Sequence, residues 1–188
     1  MHGYGQLAVD FLEDCVPLLQ EETVLVAPEG LSRFYHRGGR GSIGASWMTS
    51  EDRLREIDDY ILYLNAVWRE IIARIGSTPR LSILGFSQGG ATAMRWGLRG
   101  EARPERIVLW GAGFPSTELG EYREQVAGCN LVLVRGEKDR VVSGEVIEQT
   151  FYKLKEIARN VQLLEHGGGH ELDRSLLSAL ADELSLTM

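Results

Sequence analysis

The amino-acid sequence predicts an α/β protein in which helices cover both faces of a mostly parallel sheet, a doubly wound arrangement. Short runs rich in Val, Ile and Leu alternate with longer segments whose apolar residues recur every three or four positions. Apolar runs of strand length are typical of parallel strands that are buried on both faces. Their alternation with helices favours right-handed crossovers in one sheet. The length of 188 residues suits a single domain spanning residues 1–188.

The predicted strands are nearly continuous apolar runs that lie well separated along the chain. They cover residues 23–28, 81–86, 107–110, 131–134 and 161–164. Between the first two strands lies a long, glycine-rich and basic stretch, residues 29–46. We expect this stretch to be an irregular loop, and long loops in compact domains are commonly functional or mobile.

The predicted helices repeat apolar residues at helical spacing, so that each presents one apolar face to the core. They lie near residues 7–18, 54–75, 146–157 and 172–184. Ser50 precedes two acidic residues and is predicted to cap the long helix over 54–75.

Composition and charge exclude several classes of function. The formal net charge is −7, which argues against a nucleic-acid partner because phosphate binding requires a basic surface. No apolar stretch approaches the roughly 20 residues that cross a bilayer, and we expect no secretory leader. Cys15 and Cys129 lie far apart without metal-ligand spacing. We therefore expect no disulfide framework, no metal site and a reducing, cytoplasmic compartment.

The sequence Gly85-Phe86-Ser87-Gln88-Gly89 has the pattern G-x-S-x-G, and it lies between a predicted strand and a helical segment of small residues. A nucleophilic serine needs a sharp strand-to-helix turn that exposes its oxygen, and glycines on each side let that turn pass close to its neighbours. The free N–H groups of the next helical turn can receive negative charge. Ser87 is therefore the predicted nucleophile.

A serine hydroxyl needs a base, and in this architecture the acid and then the histidine follow the serine along the chain. His2 and His36 precede Ser87 and have the wrong order. His170 follows three glycines and precedes a helical pattern, so its loop can reach across the end of the sheet. It is the predicted base, and His166, which lies nearer the strand, is the alternative.

The acid is expected just after the strand over 131–134. Asp139 and Glu137 both lie there. Asp139 is favoured because the apolar residues that follow it can fold the loop back and turn the carboxylate inward. A carboxylate in this place would orient the imidazole and stabilise its charged form.

The segments "GFSQGG", "GEKDRVV" and "GGGHEL", in this order, resemble the phospholipase/carboxylesterase family of α/β-hydrolases, and the resemblance covers nearly the whole chain. It implies an α/β-hydrolase fold and an esterase or thioesterase that acts on a small-molecule ester without a cofactor. By matching positions, it implies that Ser87 is the nucleophile, Asp139 the acid and His170 the base.

The resemblance also implies an oxyanion hole. One donor in this architecture is the N–H of the residue after the nucleophile, here Gln88. The family carries His-Gly-x-Gly at the other side of the hole, and this chain has His2-Gly3-Tyr4-Gly5, so the Tyr4 N–H is the matching donor. The family also has a tryptophan near the acyl group. Trp47 stands at that position, and it either binds substrate or anchors the loop.

In the family a central strand leads into His-Gly-x-Gly, whereas here only Met1 precedes His2. We therefore expect the domain to be N-terminally incomplete, because a sheet that lacks a central strand leaves a row of unpaired backbone groups. A native start upstream of Met1 is favoured over a truncation or a strand supplied by another chain.

Two alternative functions are weighed against hydrolysis. The missing strand would suit a catalytically weak or inactive hydrolase-like interaction domain. The patterns G-x-G-x-x-A at Gly3 and G-x-G-x-x-G at Gly39 could suggest a dinucleotide site, but neither lies between a strand and a helix. Arg33, His36, Arg37 and Arg40 could favour an anionic substrate or could simply be solvated. The sequence leaves the oligomeric state open.

Overall fold

Parallel strands form the main sheet of the computed structural model, which describes residues 1–185. Within those residues the strands are β1 (Ser32–Arg37), β2 (Arg40–Ser46), β3 (Ser82–Phe86), β4 (Arg106–Trp110), β5 (Asn130–Gly136) and β6 (Asn160–His166). The last four pair in parallel and in chain order, with Leu84 opposite Val108 and Val108 opposite Val132. Their carboxyl ends therefore meet at one edge of the sheet, and the loops that follow them lie together there.

Helices lie between the strands of the main sheet, and the four that the apolar periodicity predicts are present. They are α1 (Ala8–Asp14), α2 (Arg53–Ile75), α3 (Gln88–Arg99), α4 (Ser116–Leu119), α5 (Arg123–Ala127), α6 (Gly144–Lys155) and α7 (Arg174–Ser185). None of these helices is both long enough and apolar enough to cross a bilayer.

Two apolar clusters hold the helices on opposite faces of the sheet. Ile107, Leu109 and Leu133 face the cluster that includes buried residues of α2, α3 and α6. Val108 and Val132, which alternate with them, face the cluster that includes α1 and α7. Successive strand residues point to opposite faces, so both sides of these strands are buried and the predicted doubly wound α/β fold is confirmed.

The predicted strand over 23–28 is wrong, since these residues are extended but join no ladder. A groove of about 470 Å³, lined by Val24, Val26, Ser82 and Leu84 among others, lies along β3 at this place. Val24 and Val26 are exposed rather than covered by a neighbour. At the far end of the same β3 edge, Met1 donates from its amine to the Leu84 oxygen at 2.5 Å. Residues 23–26 therefore line this groove without pairing with β3.

The expected irregular loop over 29–46 is also wrong, because β1 and β2 form an antiparallel hairpin there. Gly38 and Gly39 join the two strands with φ angles of +45° and +82°. Positive φ at both central residues gives the turn a twist that matches the flanking strands. The glycines that made the segment look irregular are therefore its turn residues.

The predicted cap of the long helix is misplaced. The residue before α2 is Asp52, not Ser50, and Asp52 has a left-handed backbone with φ of 49° and no side-chain capping bond. The Glu56 carboxylate instead accepts from the Thr49 N–H at 2.6 Å. The segment that precedes α2 is therefore fixed by a side chain of the helix itself, Glu56.

Replacing Leu133 by alanine tests the assigned core. Leu133 is completely buried in β5, so Leu133→Ala should lower the free energy of unfolding by about 2–5 kcal/mol. Leu62→Ala is the control, because Leu62 is 63% exposed and its loss should change stability by less than about 0.5 kcal/mol. Urea denaturation of both variants measures the difference. Equal effects would contradict the assigned burial.

Candidate active site

Ser87 stands at the sharp turn between β3 and α3, as predicted. Its φ of 52° and ψ of −119° are unusual for a residue with a side chain, and such backbone strain costs about 1–3 kcal/mol. Its N–H donates to the Trp110 carbonyl at 2.9 Å, which ties the turn to β4. A Cβ on Gly85 would lie 2.1 Å from the Gly89 oxygen. The glycines are therefore required by close backbone approach on both sides of the serine.

The structure brings His170 and Asp139 together. The His170 Nδ1 and the Asp139 Oδ2 are 2.7 Å apart. The other carboxylate oxygen, Oδ1, accepts from the N–H groups of Val141 and Val142 at 2.8 and 3.0 Å. The Asp139 side chain is 3% exposed, whereas Glu137 is exposed. The residues after Asp139 thus fold its carboxylate inward, so it is Asp139 rather than Glu137 that meets a histidine.

Asp139 is held in its charged form. Burial opposes the charge, but the hydrogen bonds from His170, Val142 and Val141 outweigh it, so the pKa of Asp139 lies below its ordinary value. A carboxylate that stays ionised accepts the proton-bearing Nδ1 of the imidazole. This leaves Nε2 as the nitrogen of His170 that can accept a proton.

His170 lies beside the turn that carries Ser87. Its ring packs on the ring of Phe86, the residue before Ser87, with centroids 4.8 Å apart. A Cβ on Gly111, after β4, would come within 3.1 Å of the same imidazole. His166 is instead buried against the Trp110 ring at 5.6 Å. Of the two candidate bases, His170 is the one that lies next to the turn that carries Ser87.

The segment His2-Gly3-Tyr4-Gly5 forms a turn beside the start of α3. The Gly5 N–H donates to the Ala45 carbonyl at 2.8 Å, which fixes the turn to β2. A Cβ on Gly89 would lie 2.2 Å from the Met1 oxygen and 2.5 Å from the His2 oxygen. The backbone leading into Tyr4 therefore packs directly on the first turn of α3, where the Gln88 N–H is located.

The His2 ring is fully buried and holds this turn from inside. Its Nε2 accepts from the Gly30 N–H at 2.8 Å, so the proton is on Nδ1, which donates to the Gly3 carbonyl at 2.8 Å. Burial is the main reason that the pKa of His2 is lowered, so the ring is neutral at neutral pH. A protonated Nε2 could not accept the Gly30 bond.

Trp47 is located in the core and not on an open surface. It is 2% exposed and packs edge-on against Tyr60. Its indole N–H donates to the His2 carbonyl at 3.0 Å. Of the two roles left open by the sequence, this placement favours the anchoring role, and the buried ring offers little surface to a substrate.

The residues described in the structure contain no cluster of His, Cys, Asp and Glu side chains that could hold a metal ion. The Ser87 turn, the His170–Asp139 pair and the Tyr4 turn all lie at the carboxyl edge of the sheet. The groove along β3 opens beside Ser82 and Leu84 instead, at the opposite half of that strand. It is therefore separate from the candidate site.

Comparison with known families identifies this arrangement. A family model described as "Serine hydrolase (FSH1)" matches residues 27–175, which is well over half of the chain. The chain belongs to the FSH1 serine hydrolase family. As a member, it is a hydrolase with an α/β fold. No curated protein sequence shows significant similarity to it.

Several solved structures are similar in fold to this FSH1 family member. Arabidopsis thaliana SOBER1 has 18% identity and a TM-score of 0.78, with 98% of this chain and 95% of that chain covered. Esterase PE8 has 25% identity and a TM-score of 0.69, with 100% and 90% covered. Zea mays acyl-protein thioesterase 2 has 19% identity and a TM-score of 0.69, with 98% and 90% covered. The first and last of these show the shared fold alone.

Sequence reasoning assigned Gln88 only through its backbone and missed its side chain. The Gln88 Oε1 accepts from the Trp47 N–H at 3.0 Å, and its Nε2 donates to the Met48 carbonyl at 2.7 Å. It also missed the ring of His2. The contacts of Gln88 with residues 47 and 48, and of the His2 ring with Gly30, have no local sequence signal, because they join residues that are distant along the chain.

Gly89→Ala tests the close packing beside Ser87. The added methyl group would clash with the Met1 and His2 carbonyls, so the free energy of unfolding should fall by about 1–3 kcal/mol. Gly128→Ala is the control, because the nearest atom to its Cβ is 4.0 Å away. Urea denaturation compares the two variants, and a fully stable Gly89→Ala protein would refute the packing.

Asp139→Asn tests the charged state of the acid. Because the folded pKa of Asp139 is lowered, its stabilisation is complete above the unfolded pKa of about 3.9 and is lost as pH falls through the folded value. The stability advantage of wild type over Asp139→Asn should therefore shrink between about pH 5 and pH 3. Glu137→Gln, which removes an exposed carboxylate from the same loop, is the control in these urea titrations. An advantage that grows toward pH 3 would contradict the assignment.

Proposed function

We propose that this FSH1 family member is a serine esterase that cleaves a carboxylic ester or thioester of a small molecule through an acyl-enzyme intermediate. The observation that carries the proposal is the 2.7 Å contact between His170 and a buried Asp139, beside a strained serine at a strand-to-helix turn. Strain at such a position persists only where the surrounding structure maintains it, and it is frequent at active sites.

In the proposed first step, the Ser87 Oγ attacks the acyl carbon while His170 Nε2 takes the hydroxyl proton. The tetrahedral intermediate then expels the alcohol or thiol, which receives that proton from His170. The acyl group is left as an ester of Ser87. A water molecule repeats the sequence, with His170 again as base, and releases the carboxylic acid. Asp139 stays ionised throughout and stabilises the imidazolium.

The negative charge of each tetrahedral intermediate is proposed to be held by the backbone N–H groups of Gln88 and Tyr4. Gln88 opens α3, where N–H groups have no intrahelical acceptor and the helix dipole favours negative charge. The Tyr4 turn packs against the same helical turn through Gly89. Preorganised donors of this kind commonly contribute about 10²–10³ in rate each.

The neighbours support an ester or a thioester as the substrate. One is named an esterase and another an acyl-protein thioesterase. We further propose a cytoplasmic location, in keeping with two free, buried cysteines, Cys15 and Cys129. We propose neither a cofactor nor a nucleic-acid partner.

Ser87→Ala tests the proposed nucleophile. Wild type should react with a fluorophosphonate probe and hydrolyse p-nitrophenyl acetate, and Ser87→Ala should lose both, with a fall in kcat of about 10⁴-fold or more. Ser178→Ala, which alters an exposed serine of α7, should keep both. Intact-mass analysis locates the probe. Labelling that survives Ser87→Ala would refute the proposal, and a wild-type protein without labelling would favour the inactive interaction domain.

A further inference from the structure

We propose that the side chains of Gln88 and Trp47 are positioning residues that hold the two oxyanion donors at a fixed separation. The inference rests on the proposed function, because it concerns the Gln88 and Tyr4 N–H groups. It goes beyond that function in giving Trp47 and the Gln88 amide a catalytic effect without contact with the substrate.

The first link joins the nucleophile turn to the end of the hairpin. The Gln88 amide lies along the backbone of residues 46–48, where its oxygen accepts the Trp47 N–H and its nitrogen donates to the Met48 carbonyl. The Ser46 hydroxyl lies between both amide atoms, 3.3 Å from Oε1 and 3.2 Å from Nε2. One end of the amide therefore has to accept and the other has to donate, and only glutamine at this length supplies both.

The second link joins the hairpin end to the turn of Tyr4. The Trp47 indole donates to the His2 carbonyl at 3.0 Å, and its ring lies 5.1 Å from the His2 ring. The His2 ring in turn donates to the Gly3 carbonyl, which belongs to the peptide unit that carries the Tyr4 N–H. A series of hydrogen bonds, partly buried at Gln88 and fully buried at Trp47 and His2, therefore connects the residue of one oxyanion donor to the peptide unit of the other.

This series of hydrogen bonds affects the rate because the two N–H donors must lie at hydrogen-bond distance from the oxyanion of the transition state and not from the ground-state carbonyl oxygen. A displacement of about 1 Å can cost about 10²-fold in rate. Loss of a link should therefore lower kcat and leave KM nearly unchanged, since the donors act most strongly in the transition state.

Trp47→Phe and Gln88→Met are the variants that break one link each. Phenylalanine keeps an aromatic ring and removes the indole N–H, and methionine keeps the side-chain length and the backbone N–H of residue 88. With p-nitrophenyl acetate, each should lower kcat by about tenfold with less than a threefold change in KM. The double variant should be no slower than about the slower single variant, because both substitutions interrupt the same series.

Trp96→Phe is the matched control. Trp96 is buried like Trp47, with 5% and 2% of the residue exposed, and its indole donates to Asn65 Oδ1 at 3.0 Å, but it lies near the other end of α3 from Gln88. Trp96→Phe removes the same kind of hydrogen bond as Trp47→Phe. It should therefore lower the melting temperature by a comparable amount and leave kcat within about twofold of wild type. The inference is overturned if Trp96→Phe lowers kcat as much as Trp47→Phe does. It is also overturned if the fold-reductions in kcat caused by Trp47→Phe and Gln88→Met multiply in the double variant.

A readout independent of activity completes the test. Hydrogen exchange of the Trp47 indole N–H, assigned by NMR from the Trp47→Phe spectrum, should accelerate in Gln88→Met, while that of Trp96 should not change. Unchanged Trp47 exchange would overturn the inference even if kcat falls. If wild type itself shows neither turnover nor fluorophosphonate labelling, the proposed function fails, whereas an active enzyme with unaffected variants refutes this inference alone.

Discussion

The close backbone contact between β3, α3 and the first residues of the chain is the constraint on which the rest of the site depends. Gly85 and Gly89 leave no space for a side chain, because the Gly89 oxygen and the Met1 oxygen would each lie within 2.2 Å of an added Cβ. This packing keeps Ser87 in its strained conformation and places the Tyr4 turn beside Gln88. The serine and the segments that carry both proposed donors therefore share the same close packing around Gly85 and Gly89.

The parallel sheet supplies the other half of the site. Because β3, β4, β5 and β6 run in the same direction, the loops that follow them converge, and residues from distant parts of the chain meet at one edge. Asp139 follows β5 and His170 follows β6, and their side chains meet at 2.7 Å. The chemistry thus depends on strand direction, while the helices bury the two apolar faces of the sheet.

The features that could be predicted were those with a local physical cause. An apolar run between helical segments becomes a parallel strand, and G-x-S-x-G between a strand and a helix becomes a sharp turn. Asp139 was also predicted, although its carboxylate is held by the backbone N–H groups of Val141 and Val142 and not by their apolar side chains, since Val141 is exposed. The wrongly predicted segments have different causes: residues 23–28 pair with no strand within the described part of the chain, and residues 32–46 form a local hairpin whose turn residues, Gly38 and Gly39, equally suit an irregular loop. The contacts of the Gln88 side chain and of Trp47 were unpredictable because they join residues that are distant along the chain.

The groove along β3 has a consequence for the behaviour of the protein in concentrated solution. The alternation that turns the backbone groups of Leu84 toward Met1 turns those of Ser82 toward the groove, which the exposed Val24 and Val26 also line. An open strand edge with apolar walls is a template on which another chain can add a strand. Wherever this edge is left uncovered, we expect association to begin at β3 and to increase when acid or salt weakens the mutual repulsion that arises from the net charge of −7.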